Sequence, residues 1–301
     1  MIFHLSTNKT KINSEINISG SKSESNRLLI LQQLIADLEI ENVSDSDDSK
    51  YLEKALNSVD ELIDIGHAGT AMRFLTSYFS IQKGREVVLT GSERMQNRPI
   101  EILVNALQDL GATISYEDKV GFPPIRIKGT KLLTDKVQIN GNVSSQYISS
   151  LLLIASSLPN GLEIEMLGKI TSVPYINMTL SLLSQIGIEA TFIKNKINVK
   201  PFNSSSAKKI IVESDWSSAS YFYSIIALSE IGSEITLSSY KENSLQGDSC
   251  LVEIYEYFGV RTVFNGNSIV IKKVKKASLN QLVLDLKDAP DIAQTIAVTC
   301  F

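Results

Sequence analysis

Cysteine, histidine, tryptophan and excess positive charge are all scarce in this chain. Its 301 residues hold two cysteines, two histidines and one tryptophan. Cys250 and Cys300 stand far apart with no C-x-x-C, and His4 and His67 are equally isolated, so spacing supplies neither a zinc site nor a disulfide framework. Two ordinary buried thiols are expected, and no metal site. Lysine and arginine number 29 against 33 acidic residues, for a net charge of −4 and a pI near 5.4. That balance excludes a broad nucleic-acid surface, which needs surplus cations to neutralise many phosphates, so any phosphate recognition must be local. No charge-free apolar stretch is long enough to span a membrane, and the opening "MIFHLSTNKT" has no charged segment leading into an apolar one. A soluble, cytoplasmic protein without membrane contact is expected. Apolar residues, by contrast, are plentiful at 43%. A chain of this length and apolar content exceeds one compact core and predicts two lobes.

The chain also repeats itself. "IEILVNALQDLGATISY", "INMTLSLLSQIGIEATF" and "DSCLVEIYEYFGVRTVF" each read as an amphipathic helix, a glycine C-cap and a strand. Their glycines, Gly111, Gly187 and Gly259, are 76 and 72 residues apart. A second series keeps that step. "GTAMRFLTSYFS" from Gly69, "SSQYISSLLLIAS" from Ser144, "SSASYFYSIIALS" from Ser217 and "DIAQTIAVTCF" from Asp291 start at intervals of 75, 73 and 74 residues. Two series in phase predict a supersecondary module, too large for a solenoid repeat, whose copies pack around shared centres. Residues 20–65 read as a shorter, irregular copy.

Helix starts are where this pattern points to chemistry. Each member of the second series opens on Gly, Thr, Ser or Asp, residues that cap well and leave backbone N–H groups free for an anion. If copies share a centre, several positive helix ends aim at one place. The stretch "INISGSKSESNRLLILQQL", Ile16 to Leu34, crowds Gly20, Lys22, Arg27 and three serines ahead of an apolar run, as a local anion site requires.

Eight motifs in order then carry a resemblance: "GSKSESNR", "AGTAMRF", "LTGSERMQNRPI", "SSQY", "SVPYIN", "SDWSSASYF", "LQGD" and "DAPDIAQTIAV". From about Ser14 to Phe301 the chain resembles the 5-enolpyruvylshikimate-3-phosphate synthase family. The resemblance implies an α/β (α+β) enolpyruvyl transferase fold of two lobes built from βαβαββ units, an inside-out α/β barrel. The first lobe would be 20–213, the second 1–19 plus 214–301. It implies transfer of the enolpyruvyl group of phosphoenolpyruvate to the 5-hydroxyl of shikimate 3-phosphate, without cofactor or metal, by an enzyme monomeric at full length. Carried over by motif, Lys22, Gly69, Arg98 and Gln146 would meet phosphoenolpyruvate. Ser23, Arg27, Ser144, Ser145, Gln146, Ser172, Tyr175 and Asp291 would hold shikimate 3-phosphate. Lys22 and Asp291 would be catalytic, Asp291 at the reacting hydroxyl as part of the acid–base machinery. Two departures stand out: His67 lies where the family more often has Asn, and Val173 where it often has Lys. No role is assigned to His67.

Two alternatives compete. The sister transferase acting on UDP-N-acetylglucosamine carries a cysteine acid in the loop before its Arg-Pro pair, and Gly91 to Pro99 holds none. The other is a non-catalytic anion-binding module. The chain ends at "AVTCF", before the family's Lys-Glu-x-x-x-Arg segment, so the second lobe is expected to be incomplete on its C-terminal side and the 301-residue chain to be inactive by itself.

Overall fold

The computed structural model describes residues 11–171, 173–202, 208–277 and 281–301. The chain divides into two compact units. One, the inserted unit, is Lys22–Ile211; the other, the host unit, joins Val212–Phe301 to the N-terminal segment ending at Ser21. Within the host unit the outgoing and returning chain lie side by side. Gly20 bridges to Ser214, the Ser21 N–H donates to the Glu213 carbonyl at 2.8 Å, and the Asp215 N–H donates to that of Ser19 at 3.1 Å.

The inserted unit contains two copies of one module. In the first, the strand Leu62–Asp64 leads through the helix Gly69–Ser80 to a parallel neighbour, Glu86–Thr90, and the helix Glu101–Asp109 leads on to the strands Thr113–Tyr116 and Ile125–Lys128. The last strand pairs antiparallel between the second and third, giving spatial order first, second, fourth, third. The copy Lys136–Asn140, Ser145–Ala155, Leu162–Leu167, Val173–Ile186, Ala190–Ile193 and Lys196–Val199 has the same order. The irregular first copy keeps the helix Lys22–Leu34, the strand Leu38–Glu41 and the helix Asp47–Asn57, its strand pairing in parallel with Lys208–Ile211.

The host unit builds the module from two stretches of chain. Its first strand is Asn13–Ile16, which pairs in parallel with Glu234–Ser238. The helix Trp216–Leu228 precedes that second strand, and Val260–Asn265 and Ser268–Lys273 complete the same order. The whole inserted unit therefore interrupts one module between its first strand and first helix.

Three glycines end their helices alike. Gly111, Gly187 and Gly259 have φ of 102°, 98° and 76°, a region where a Cβ is strained. The residue after each donates its N–H five residues back, Ala112 to Leu107, Ile188 to Leu183 and Val260 to Tyr255, at 2.9 to 3.0 Å. This is the Schellman closure, and it sends each chain into a strand. The segment before Gly259 departs from the expected long helix: it is a 3-10 turn, Gly247–Cys250, followed by the four-residue helix Leu251–Ile254. A Cβ at Gly247 would overlap the Asp288 carbonyl, which pins the turn. Tyr255 then enters an aromatic core with Tyr223 and Phe258.

Within the inserted unit one helix of the first module lies wholly inside, with strands nearer the solvent. Every residue of Gly69–Ser80 is buried, whereas strands such as Lys136–Asn140 alternate buried with exposed positions. Small residues make that close helix packing possible. The Ser77 hydroxyl donates to Ser150 at 3.0 Å across the two helices, while Thr76 and Ser80 return their hydroxyls to carbonyls four residues back. A hydroxyl in such a core is tolerable because its hydrogen bond is made.

Candidate active site

The inserted unit gathers its helix starts. Lys22 is the first residue of its helix and is exposed. Gly69 opens the helix Gly69–Ser80 with no Cβ, and one there would overlap the Arg98 guanidinium. Gln146, in the first turn of the Ser145 helix, donates Nε2–H to the Thr70 hydroxyl at 3.4 Å. Four expected phosphoenolpyruvate residues are thus linked through neighbours: Gly69 touches Arg98, Gln146 reaches Thr70, and Asp48 feels both Thr70 and Lys22.

Two buried side chains fix the backbone beside Arg98. Arg73 donates from Nη1 to the Gly69 carbonyl and from Nη2 to the Pro99 carbonyl, both at 3.1 Å. The Tyr147 hydroxyl donates to the same Pro99 carbonyl at 2.7 Å. Burial lowers the Arg73 pKa, the charge of Arg98 lowers it further, and Tyr147 and Asp48 oppose the shift. Arg98 itself is exposed.

Arg27 is placed otherwise than a surface fork. It is 2% exposed, donating from Nε to Thr179 Oγ1 at 2.8 Å, from Nη2 to Ser149 Oγ at 3.1 Å and from Nη1 to the Ser23 carbonyl at 2.7 Å. A longer bond of 3.4 Å runs to the Tyr175 carbonyl, and the guanidinium lies over the rings of Phe74 and Tyr175. These partners are neutral oxygens and π faces. Burial pushes the pKa down to about 10, against the pull of Tyr175 and Glu24. The cation therefore ties together three helices of the interior and holds Ser23 from its carbonyl side.

Ser144 caps the Ser145–Ala155 helix, its hydroxyl accepting from the Gln146 N–H at 3.4 Å. Ser144 is exposed, Ser145 buried and Gln146 half-buried. Ser23 is half-buried and Tyr175 exposed on the first turn of Val173–Ile186, while Ser172 lies outside the described residues.

Asp291 belongs to the host unit. It is exposed in the 3-10 turn Pro290–Ile292 that leads into the helix Ala293–Thr299. Its neighbours are acidic. Asp248 accepts a short hydrogen bond from the Ser217 hydroxyl, and its pKa is raised by burial, the Ser217 bond opposing, and by the charges of Asp291 and Asp215. Asp215 caps the Trp216 helix, accepting from the Ser218 N–H at 2.7 Å. Beneath it the buried Glu213 accepts from Trp216 Nε1 at 2.8 Å, from the Lys241 N–H at 3.0 Å and from the Ser244 hydroxyl at 2.7 Å.

Residue types and motif order did not single out Asn26, Asp48 or Arg73. Asp48 sits in "SDSDDSKYL", a stretch that reads simply as a helix cap, and Ser46 does cap that helix. Arg73 hides inside an apolar helix, where only its partners on other segments reveal it. Among the described residues there is no cluster of three potential metal ligands, and no helix is long and apolar enough to cross a membrane.

Comparison with known proteins agrees with this architecture. The profile of the family EPSP synthase (3-phosphoshikimate 1-carboxyvinyltransferase) matches residues 52–301. A 3-phosphoshikimate 1-carboxyvinyltransferase of Bacteroides fragilis (strain YCH46) is 45% identical over 295 residues, spanning 97% of this chain and 70% of that protein. One from Haemophilus influenzae is 35% identical over 320 residues, spanning 96% and 72%. The solved EPSP synthase of Acinetobacter baumannii superposes with a TM-score of 0.76 at 20% identity, covering 96% of this chain and 71% of that one, a likeness of fold. With the helix-lined modules, the shared order of strands and a family profile over most of its length, the chain belongs to the EPSP synthase (3-phosphoshikimate 1-carboxyvinyltransferase) family.

Proposed function

We propose that this protein transfers the enolpyruvyl group of phosphoenolpyruvate to the 5-hydroxyl of shikimate 3-phosphate, releasing phosphate, as a cytoplasmic monomer. The observation that carries the reading is the linked set Lys22, Gly69, Arg98 and Gln146 at adjoining helix starts of a chain from this family. Lys22 supplies a point charge and Arg98 a fork for the phosphate and carboxylate, and Gly69 lets that fork lie against a helix start. Ser23, Ser144, Ser145 and Gln146, with Ser172 and Tyr175, hold the second substrate through hydroxyl, amide and backbone donors. Arg27 contributes from below, holding Ser23 and Tyr175 by their carbonyls.

In the proposed reaction the 5-hydroxyl oxygen bonds to C2 of phosphoenolpyruvate as C3 gains a proton and the hydroxyl proton passes to a base. The tetrahedral adduct then loses phosphate and a C3 proton, leaving the vinyl ether. Asp291 is the base in this reading, and the cations balance charge as it develops. The test is phosphate release by the gene product with both substrates present, beside calorimetric titration of shikimate 3-phosphate. Release that needs both substrates and falls at least about 100-fold in Asp291→Asn, with binding kept, is expected. Binding of both substrates without release would favour the non-catalytic anion-binding module, and absence of binding would reject the reading.

A further inference from the structure

The carboxylate of Asp48 takes no part in the reaction just described, yet it stands among the site's cations. It lies in the first turn of Asp47–Asn57, half-buried, and accepts from the Asn26 amide at 2.7 Å, with the Thr70 hydroxyl close by. Asn26 is wholly buried, and the Ser49 hydroxyl donates to its Oδ1, also at 2.7 Å. That second bond fixes the amide with its N–H₂ toward Asp48, so the carboxylate is held by the Lys22–Leu34 helix, one turn along from Lys22 itself. The titratable groups facing it are Lys22 and His67, and its field reaches the buried Arg73, which in turn feels Arg98. Burial raises the Asp48 pKa, and the charge of Lys22 foremost opposes the rise. An acid half-withdrawn from water beside a site for anionic substrates costs affinity unless it serves those cations.

We infer that Asp48 is the resident counter-charge of this anion site and the positioning residue for Lys22 and Thr70. It offsets the mutual repulsion of Lys22, Arg73 and Arg98 while the site is empty, and it orients the Thr70 hydroxyl whose oxygen accepts from Gln146. This rests on the reading that Lys22, Gly69, Arg98 and Gln146 bind phosphoenolpyruvate. Two effects then oppose each other. Removing the charge should tighten anion binding, while losing the anchor should slow turnover. A purely structural residue would weaken both.

The probe is inorganic phosphate, titrated calorimetrically into the gene product and its Asp48→Asn and Asp48→Ser variants, with thermal melting to show that each is folded. Phosphate should bind about 3- to 10-fold more tightly to the variants, as expected for deleting one like charge several ångströms away near a surface. Phosphate release from phosphoenolpyruvate should fall at least about 10-fold in the same variants, because Lys22 is no longer held. Asn26→Ala, which loosens the carboxylate without removing its charge, should slow turnover without tightening phosphate. Equal or weaker phosphate binding by either folded Asp48 variant overturns the inference. Tighter binding in a protein with no turnover would instead uphold the counter-charge and reject the proposed reaction.

Discussion

The helices Gly69–Ser80 and Trp216–Leu228 hold the same place in the module, yet one is buried at every residue and the other is not. Tyr221, Ile225 and Leu228 are 56%, 45% and 63% exposed along one face of the Trp216 helix. What the two share is a ladder of hydroxyls. Ser77 meets Ser150, and Ser220 meets Thr295, at 3.0 Å in both cases and 73 and 75 residues apart, the step of the repeat. Thr299 adds a bond to Ser224 at 2.9 Å. The Gly69 helix is packed by the helices from Lys22, Asp47, Glu101 and Ser145, whereas the Trp216 helix meets Ala293–Thr299 and the short turns Gly247–Cys250 and Pro290–Ile292. A repeated sequence pattern thus reproduces local structure and helix-to-helix contacts, while burial depends on how many neighbours each copy acquires.

Both units also bury cations, and Arg27 and Lys273 are satisfied differently. Arg27 is shared among hydroxyls and carbonyls of three helices. Lys273, 5% exposed, donates to the carbonyls of Ala227 and Phe258 at 2.6 Å, near the C-terminal ends of two helical segments where the backbone dipole favours positive charge. The largest expected effect comes from the first. Arg27→Ala should destabilise the inserted unit by about 3–5 kcal/mol, by opening a cavity and removing the bonds that tie three helices together, and shikimate 3-phosphate binding should be lost with it. Hydrogen exchange resolved by unit checks this: protection lost in Lys22–Ile211 but kept in the host unit is the expected result. Intact protection throughout would reduce Arg27 to a surface-like ligand.

A middling effect is expected at Lys273. Its pKa is lowered by burial, so between that lowered value and the ordinary lysine value of 10.5 the unfolded chain binds more protons than the native one. This residue therefore makes host-unit stability rise with pH through that window, and weakest where it is fully charged. Lys273→Met should cost about 1–3 kcal/mol at pH 7 by orphaning two carbonyls, and should flatten that slope. Urea unfolding at several pH values, comparing the variant with wild type, measures both. An unchanged slope would mean that Lys273 titrates as it does in the unfolded chain.

The smallest effect would sharpen the comparison of the two helices. Ser77→Ala and Ser220→Ala each remove a hydroxyl from the same rung of the ladder, and each should cost about 0.5–1.5 kcal/mol. Equal costs in thermal melts would mean that the helix contact is one unit of structure in both places. A much smaller cost at Ser220 would tie the rung's worth to the deeper burial of its counterpart.

The sequence by itself determined the module and its ends. Three Schellman closures at Gly111, Gly187 and Gly259, the caps at Ser144 and Asp215 and the alternation of the strands all follow from nearest neighbours along the chain. Nearness of Gly69 to Arg98 is foreshadowed too, because the family resemblance implies the same substrate for both. Tertiary structure decided the rest. Arg27 reads as an exposed fork in "SKSESNR", and only Ser149 and Thr179, 122 and 152 residues away, turn it inward. The helix expected before Gly259 is broken because Gly247 is pressed against Asp288 and Tyr255 is drawn into the aromatic core. Asp48 looks like a cap until Asn26, Thr70 and Lys22 surround it. Local pattern fixes what a hydrogen bond or a φ angle within a few residues can decide; burial and charge environment are set by distant segments, and no period in the sequence encodes them.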